Sequence, residues 1–209
     1  MPQYSPEWWA VRLGKVTASA VAKVFSKGKG GDEAIGRRDY RIALALERLT
    51  GRSTGEDGFV SADMRRGTEK EPDARLAYEA ATGSLVMEVG FCEHDTLAAG
   101  CSPDGLTDSG LTVIDFKCPK SSTHLDTLRS RAVPSEYVPQ LTMALWITGA
   151  TCAHFVSFDD RFPVESQLVI VPHARDEKAI EALELGVRVF LSEIDREVES
   201  IRALCPVVA

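Results

Sequence analysis

The segment Leu111-Thr112-Val113-Ile114-Asp115-Phe116-Lys117-Cys118-Pro119 constrains the fold of this chain more than any other. It has the apolar density of a strand inside a sheet, yet it carries an acid and a lysine two residues apart. Strand side chains alternate between faces, so Val113, Asp115 and Lys117 share one face while Ile114, Phe116 and Cys118 share the other. Just upstream lies Ser102-Pro103-Asp104-Gly105, where Asp104 is expected to end the preceding strand. A turn at 108–110 lets the two strands pair and brings Asp104 near Asp115. Convergent carboxylates repel unless a cation sits between them, and all-oxygen ligation suits Mg²⁺ or Mn²⁺. A neighbouring lysine can orient or deprotonate a water on such a metal and stabilise the anionic transition state of phosphodiester hydrolysis. The same residues admit an inert account, with Asp104 capping a turn and Asp115 and Lys117 forming a structural ion pair. A D-x-K strand preceded by Pro-Asp favours the chemical one.

Around this strand the periodicity predicts helices over 17–26, 38–50 and 61–82, the last offering Leu76, Ala77, Ala80 and Ala81 as a core face with Gly83 as a stop. Strands follow at 85–91, 97–101, 111–118, 153–158 and 167–171, interrupted by helices at 122–130 and 135–148. A long amphipathic pattern at about 176–204 closes the chain. Glycine-rich 28–36 is the one plainly flexible stretch, with a weaker break at 51–58. Strands between helices make an α/β (α+β) protein with one central sheet, read as a single domain over 1–209.

The formal charge of −7 argues against nucleic acid at first, since affinity for phosphates is built from Lys and Arg. Its distribution softens the objection, because residues 1–54 carry +5 and the remainder −12. A basic N-terminal region beside an acidic one suits anion binding in the first and divalent cations in the second. Ordinary solvated surface charge is the plainer account. Five cysteines, at 92, 101, 118, 152 and 205, form no C-x-x-C pair and read as buried reduced thiols. No apolar run approaches a membrane span and the first residues lack a secretory pattern, so the expected location is the cytoplasm.

Near the N-terminus, Thr17 is placed to cap the helix carrying Val21, Val24 and Phe25, leaving the Ala18 and Ser19 amides as free donors. With Arg12 and the Ser19 hydroxyl these would make a compact phosphate receptor. A capped helix beside one arginine is the alternative. Trp8 and Trp9 read as core-edge aromatics or as a stacking surface for unpaired bases, one of them being core. The four histidines fit no metal spacing.

Pro103-Asp104 followed by Asp115-Phe116-Lys117 resembles the PD-(D/E)XK motif of the restriction-endonuclease-like nucleases. The fuller strings Ser102-Pro103-Asp104-Gly105 and Asp115-Phe116-Lys117-Cys118-Pro119 resemble more narrowly the phage lambda exonuclease family, the YqaJ-like viral recombinases or alkaline exonucleases. Three further elements carry the resemblance in order: Arg12 through Ser19, Gly67 through Ala74 with Glu71, and Tyr137-Val138-Pro139-Gln140-Leu141 before an apolar helix ending at Trp146. One departure is Asp115, where the family often has Glu, which leaves the preferred metal ion open.

The resemblance implies a restriction-endonuclease-like fold, a central mixed sheet flanked by helices. It implies that Asp104 and Asp115 bind Mg²⁺ (or Mn²⁺) with the Phe116 backbone carbonyl, that Lys117 activates the attacking water, and that Glu71 completes the carboxylate cluster or holds a metal water. Gln140 would contact the lysine or the metal site, and Arg12, Thr17 and Ser19 a terminal 5′-phosphate. Without it Glu71 reads as a solvated acid, and Gln140 equally as a buried amide capping an edge. The implied activity is 5′→3′ digestion of linear double-stranded DNA ends to mononucleotides. The 3′ single strand left behind would serve recombination, by a homotrimeric ring working beside a single-strand annealing protein in a bacterial host cell. A catalytically inactive end-binding module and an endonuclease of the same superfamily are the alternatives. A two-carboxylate glycosidase has no use for Lys117 and wants an aromatic-rich cleft, whereas aromatics are 7% here.

Overall fold

The computed structural model describes residues 3, 5–54 and 62–204. Its elements run α1 (Pro6–Arg12), β1 (Val16–Thr17), α2 (Val21–Val24), α3 (Ile35–Thr50), α4 (Ala62–Thr82), β2 (Val86–Met87), β3 (Cys92–Glu93), β4 (Ala99–Cys101), β5 (Gly105–Thr107), β6 (Thr112–Lys117), α5 (Ser121–Ser130), α6 (Val138–Thr148), β7 (Cys152–Phe158), β8 (Leu168–Ala174) and α7 (Glu177–Leu204). Helices flank mixed sheets, the α+β class expected. The described residues form two compact units: one from Met1–Asp57, Gly90–Ser102 and Glu177–Ala209, the other from Gly58–Val89 and Pro103–Asp176. Cys205 and part of the break at 51–58 lie outside the described residues.

In the second unit five strands are ordered β2-β5-β6-β7-β8, with β6 and β7 parallel and the other neighbours antiparallel. Alternation along β6 falls as its sequence requires. Ile114, Phe116 and Cys118 pack with Val156 and Phe158 of β7 beneath Ala74 and Tyr78 of α4. Helix α6 packs on β6 and β7 and buries Leu141, Met143, Ala144 and Leu145. The core face of α4 is therefore Ala74, Ala77 and Tyr78, while Leu76, Ala80 and Ala81 are exposed. The aromatic Tyr78, hydrogen-bonded to His154 at 2.8 Å, fixes that orientation in place of Leu76.

The strand that pairs with β6 is not the one expected. β4 belongs to the other unit's sheet, and the partner is the short β5, with Gly105 opposite Ile114 and Leu106 opposite Val113. Pro103 has no N–H to give a ladder and separates the two strands. Gly105 is required where it stands, because a Cβ there would lie 2.2 Å from Val86 Cγ1 on β2. Asp104 thus opens β5 rather than ending β4.

The first unit holds a three-stranded sheet ordered β1-β4-β3 beside α1, α2, α3 and α7. α7 packs along α3 and buries Ile180, Leu183, Val187, Phe190, Leu191, Ile194 and Val198, and the Tyr40 ring stacks on Phe190 at 5.6 Å. Arg37, Arg41 and Arg48 of α3 pair with Glu193, Glu197 and Asp195 of α7 at 2.8, 3.3 and 2.6 Å. Much of the basic surplus of residues 1–54 is thereby spent inside this unit. The helix expected over 17–26 is instead strand β1, a 3-10 turn Ala18–Ala20 and the single turn α2, because Thr17 pairs with Gly100 in a parallel ladder.

Candidate active site

β6 delivers two of the expected residues side by side. Asp115 is buried, and its Oδ2 lies 2.7 Å from the Lys117 ammonium, an ion pair without hydrogen-bond alignment. Its Oδ1 accepts a 2.6 Å hydrogen bond from Gln140 Nε2 in the first turn of α6. Asp104 reaches β6 through Oδ2, which accepts the Phe116 N–H at 2.6 Å. In an extended strand the N–H and C=O of one residue leave on the same edge, so the Phe116 carbonyl points to the Asp104 side rather than toward β7. The Tyr137 ring, one residue before α6, lies 5.4 Å from Lys117 Nζ and supplies a cation–π contact. The Tyr-Val-Pro-Gln string does not reveal this role, since spacing alone does not show which ring faces an ammonium.

The electrostatics are those of too many acids around one cation. Burial pushes the Asp104 carboxyl up to about 8, with Asp115 and Glu71 adding to the rise and Lys117 and the Phe116 N–H opposing it. Glu71 on α4 is raised too, chiefly by burial and further by Asp115 and Glu88, against the pull of Lys117. Burial works against a charged Lys117, but Asp115 and Asp104 outweigh it and hold the ammonium protonated above the usual lysine range.

A divalent cation suits this donor set. Asp115 Oδ2 is buried with the Lys117 ammonium beside it but no aligned hydrogen bond, and burial with the neighbouring acids raises the Asp104 carboxyl. Among the described residues no three Asp, Glu, His or Cys side chains close into a metal cage. A cation here would be held by two carboxylates, a backbone carbonyl and water, the sparse set that Mg²⁺ accepts. Glu71 lies within electrostatic reach of the cluster but does not close a carboxylate trio.

The N-terminal candidates form a separate group within the first unit. A cavity of about 460 Å³ is lined by Arg12, Lys15, Thr17, Ser19, Lys23 and Tyr40, among others. The Arg12 guanidinium stacks over Trp8 at 3.9 Å and reaches Ser102 Oγ at 3.4 Å, and Trp8 Nε1 donates to the same hydroxyl at 2.8 Å. Trp8 is buried and Trp9 half-exposed, which makes Trp8 the core member of the pair. The expected cap at Thr17 does not form. Its Oγ1 lies 3.5 Å from Ser19 Oγ instead, and its N–H donates to Tyr40 at 3.1 Å, because Thr17 is committed to strand β1. Gly14 is demanded by Arg48, whose Cγ would lie 2.4 Å from a Cβ there, at a φ of +65°. Ser102, part of the Ser-Pro-Asp-Gly string, is the residue this group adds to those expected.

The YqaJ-like viral recombinase domain model matches residues 7–151, which include β6, Asp104, Gln140 and the Arg12 group. The chain belongs to this family. Among solved structures, the alkaline exonuclease LHK-Exo from Laribacter hongkongensis is 38% identical over 98% of this chain and 100% of its own, with a TM-score of 0.88. LHK-Exo in complex with dAMP matches equally. A phage-related exonuclease from Haemophilus somnus 129PT, at 16% identity over 90% of this chain and 96% of its own with a TM-score of 0.72, shares the fold. No curated protein sequence matches the chain. As a YqaJ-like recombinase and relative of an alkaline exonuclease, the protein is a nuclease. Among its described residues no helix is long and apolar enough to cross a membrane.

Proposed function

We propose that the chain is one catalytic domain, a divalent-metal-dependent 5′→3′ exonuclease acting on linear double-stranded DNA ends. It releases mononucleotides and leaves 3′ single strands for recombination, as a ring-shaped homotrimer beside a single-strand annealing protein in the bacterial cytoplasm. The observation that carries this reading is the convergence of Asp104, Asp115, Lys117 and Gln140 on β6, where burial and neighbouring acids push the Asp104 carboxyl up to about 8. The family model spans segments of both compact units, which supports a single domain. The dAMP complex of LHK-Exo supports a mononucleotide product.

Asp104, Asp115 and the Phe116 carbonyl would hold Mg²⁺ or Mn²⁺, which when bound polarises the scissile phosphate and acidifies a coordinated water. Gln140 fixes the rotamer of Asp115 by holding Oδ1, so that Oδ2 keeps its direction. Lys117, on the same face of β6, positions the attacking water through its ammonium and stabilises the negative charge that develops on the phosphate. Glu71 holds a second water from α4. The Arg12 guanidinium, with Ser19 and Thr17 on the same cavity wall, receives the 5′-terminal phosphate and selects the end.

Digestion of end-labelled linear duplex with and without a 5′-phosphate, in Mg²⁺ or EDTA, tests the reading. Mononucleotides are expected from the phosphorylated 5′ end and none in EDTA. Nicking of closed circular duplex would mark an endonuclease, and end binding without cleavage in Mg²⁺ or Mn²⁺ an inert end-binding module.

A further inference from the structure

Two cysteines stand opposite each other in the β3–β4 hairpin, Cys92 paired with Cys101. The His94 N–H donates to Ala99 O at 2.9 Å, and the antiparallel ladder alternates from there, so Cys92 and Cys101 form a hydrogen-bonded pair with side chains on one face. The α-carbons of such a pair lie roughly 5.5 Å apart, inside the range a disulfide spans. The proximity of the two thiols holds Cys92 at about 7, well below an ordinary thiol, while Cys101 is raised. Cys92 is partly exposed and Cys101 buried, which gives one thiol open to a small oxidant and a second held beside it. The other free thiols among the described residues, Cys118 and Cys152, have no cysteine opposite them in the sheet.

We propose that Cys92 and Cys101 are a peroxide-sensitive dithiol whose disulfide changes the end selection of the nuclease. The Cys92 thiolate attacks one oxygen of hydrogen peroxide; an S–O bond forms, the O–O bond breaks, and the departing hydroxide takes a proton to become water. The Cys101 sulfur then attacks the Cys92 sulfur, expels the hydroxyl and gives up its proton to it as a second water. Two thiols lose two electrons and one peroxide is reduced. The coupling to function follows from chain position. Cys101 precedes Ser102, whose hydroxyl holds the Trp8 indole at 2.8 Å and meets Arg12 at 3.4 Å. Pulling the Cys101 sulfur onto Cys92 re-aims that residue and with it the Arg12 guanidinium; this second half rests on Arg12 as the 5′-phosphate receptor.

The test treats the full-length protein with a small molar excess of hydrogen peroxide and maps its peptides by mass. A Cys92–Cys101 disulfide reversed by dithiothreitol is expected, together with a severalfold fall in the ratio of initial rates on 5′-phosphorylated and 5′-hydroxyl duplex. Cys92→Ser and Cys92→Ala should fold, cleave DNA before treatment as the parent does, and keep their rate ratio after it. Both cysteines remaining thiols while Cys118 or Cys152 oxidises overturns the site. A disulfide that leaves the ratio unmoved overturns the coupling if Arg12→Ala does shift the ratio. If Arg12→Ala leaves it unmoved as well, the phosphate-receptor reading is what fails.

Discussion

Asp104 is the residue whose chemistry departs furthest from its ordinary behaviour. A carboxyl that is ionised above about 4 in the unfolded chain and only above about 8 in the folded one binds a proton in the native state throughout that window. Its contribution to stability is therefore whole below pH 4, declines as pH rises toward 8 and is flat beyond. In EDTA the melting temperature should fall between pH 5 and 8, with Glu71 acting in the same direction. Asp104→Asn, which cannot ionise, should flatten the curve, while wild type should gain more from Mg²⁺ at pH 8 than at pH 6 because the cation replaces the proton. Parallel melting curves for the two proteins would falsify the electrostatic account of the cluster. The same reasoning separates binding from turnover. Asp104→Ala and Asp115→Ala should abolish cleavage in folded protein, whereas Lys117→Ala should bind duplex normally and lose about a hundredfold or more in single-turnover rate. A Lys117→Ala protein that loses affinity alone would make the lysine a phosphate contact. Arg12→Ala should lower the preference for 5′-phosphorylated over 5′-hydroxyl ends by roughly tenfold, the value of one charge-assisted hydrogen bond, in initial rates at fixed salt.

At the scale of elements, what the sequence made legible were the pieces whose pattern is local. β6, with its alternation of Ile114, Phe116 and Cys118 against Asp115 and Lys117, could be read residue by residue, as could α4, α5 and α7 to within a residue or so of their ends. What escaped were elements defined by partners far along the chain. β1, β3 and β5 have two, two and three residues and exist only because β4 and β6 offer edges to them. Thr17 looked like a helix cap since nothing local reveals that Gly100 claims its backbone. Asp104 and Asp115 were brought together correctly but by the wrong strand. A further element-scale device was invisible for the same reason. Asp159, fully buried at the end of β7, accepts from Ser121 at the start of α5, from Arg66 of α4 and from Arg161. Although burial opposes ionisation, hydrogen bonds from Arg161 and Ser121 hold its carboxyl at about 2. Since the depressed group stabilises above the unfolded value and loses that effect as pH falls through 2, Asp159→Asn should mimic acid. It should lower the melting temperature at pH 7 by roughly 6–20 °C, a cost of about 3–5 kcal/mol for a buried pair broken on one side. A change under 2 °C would show that the arginines find other partners.

Across the whole molecule, charge decides how a protein of net −7 holds a polyanion. The N-terminal surplus of +5 counts every arginine of α3, yet Arg37 meets Glu33 and Glu193, Arg41 meets Glu33 and Glu197, and Arg48 meets Asp195. Cations already engaged by carboxylates release no counterion from DNA, so these α3 arginines should add little to the salt dependence, to which Arg12 at the cavity wall should contribute. The double variant Arg37→Gln/Arg41→Gln should therefore lower the melting temperature by a few degrees, each partly exposed pair being worth about 1 kcal/mol or less. The slope of log affinity against log salt for a phosphorylated duplex end should stay the same. Arg12→Gln should do the reverse, leaving stability near wild type and making the slope shallower by about 0.9 for the phosphate contact it loses. Binding would be followed in EDTA so that cleavage does not intervene. If removing the α3 arginines flattens the slope as much as removing Arg12, those arginines exchange Glu193 and Glu197 for phosphate when DNA arrives, and the pairing with α7 is a resting state of a DNA-binding surface rather than part of the fixed frame.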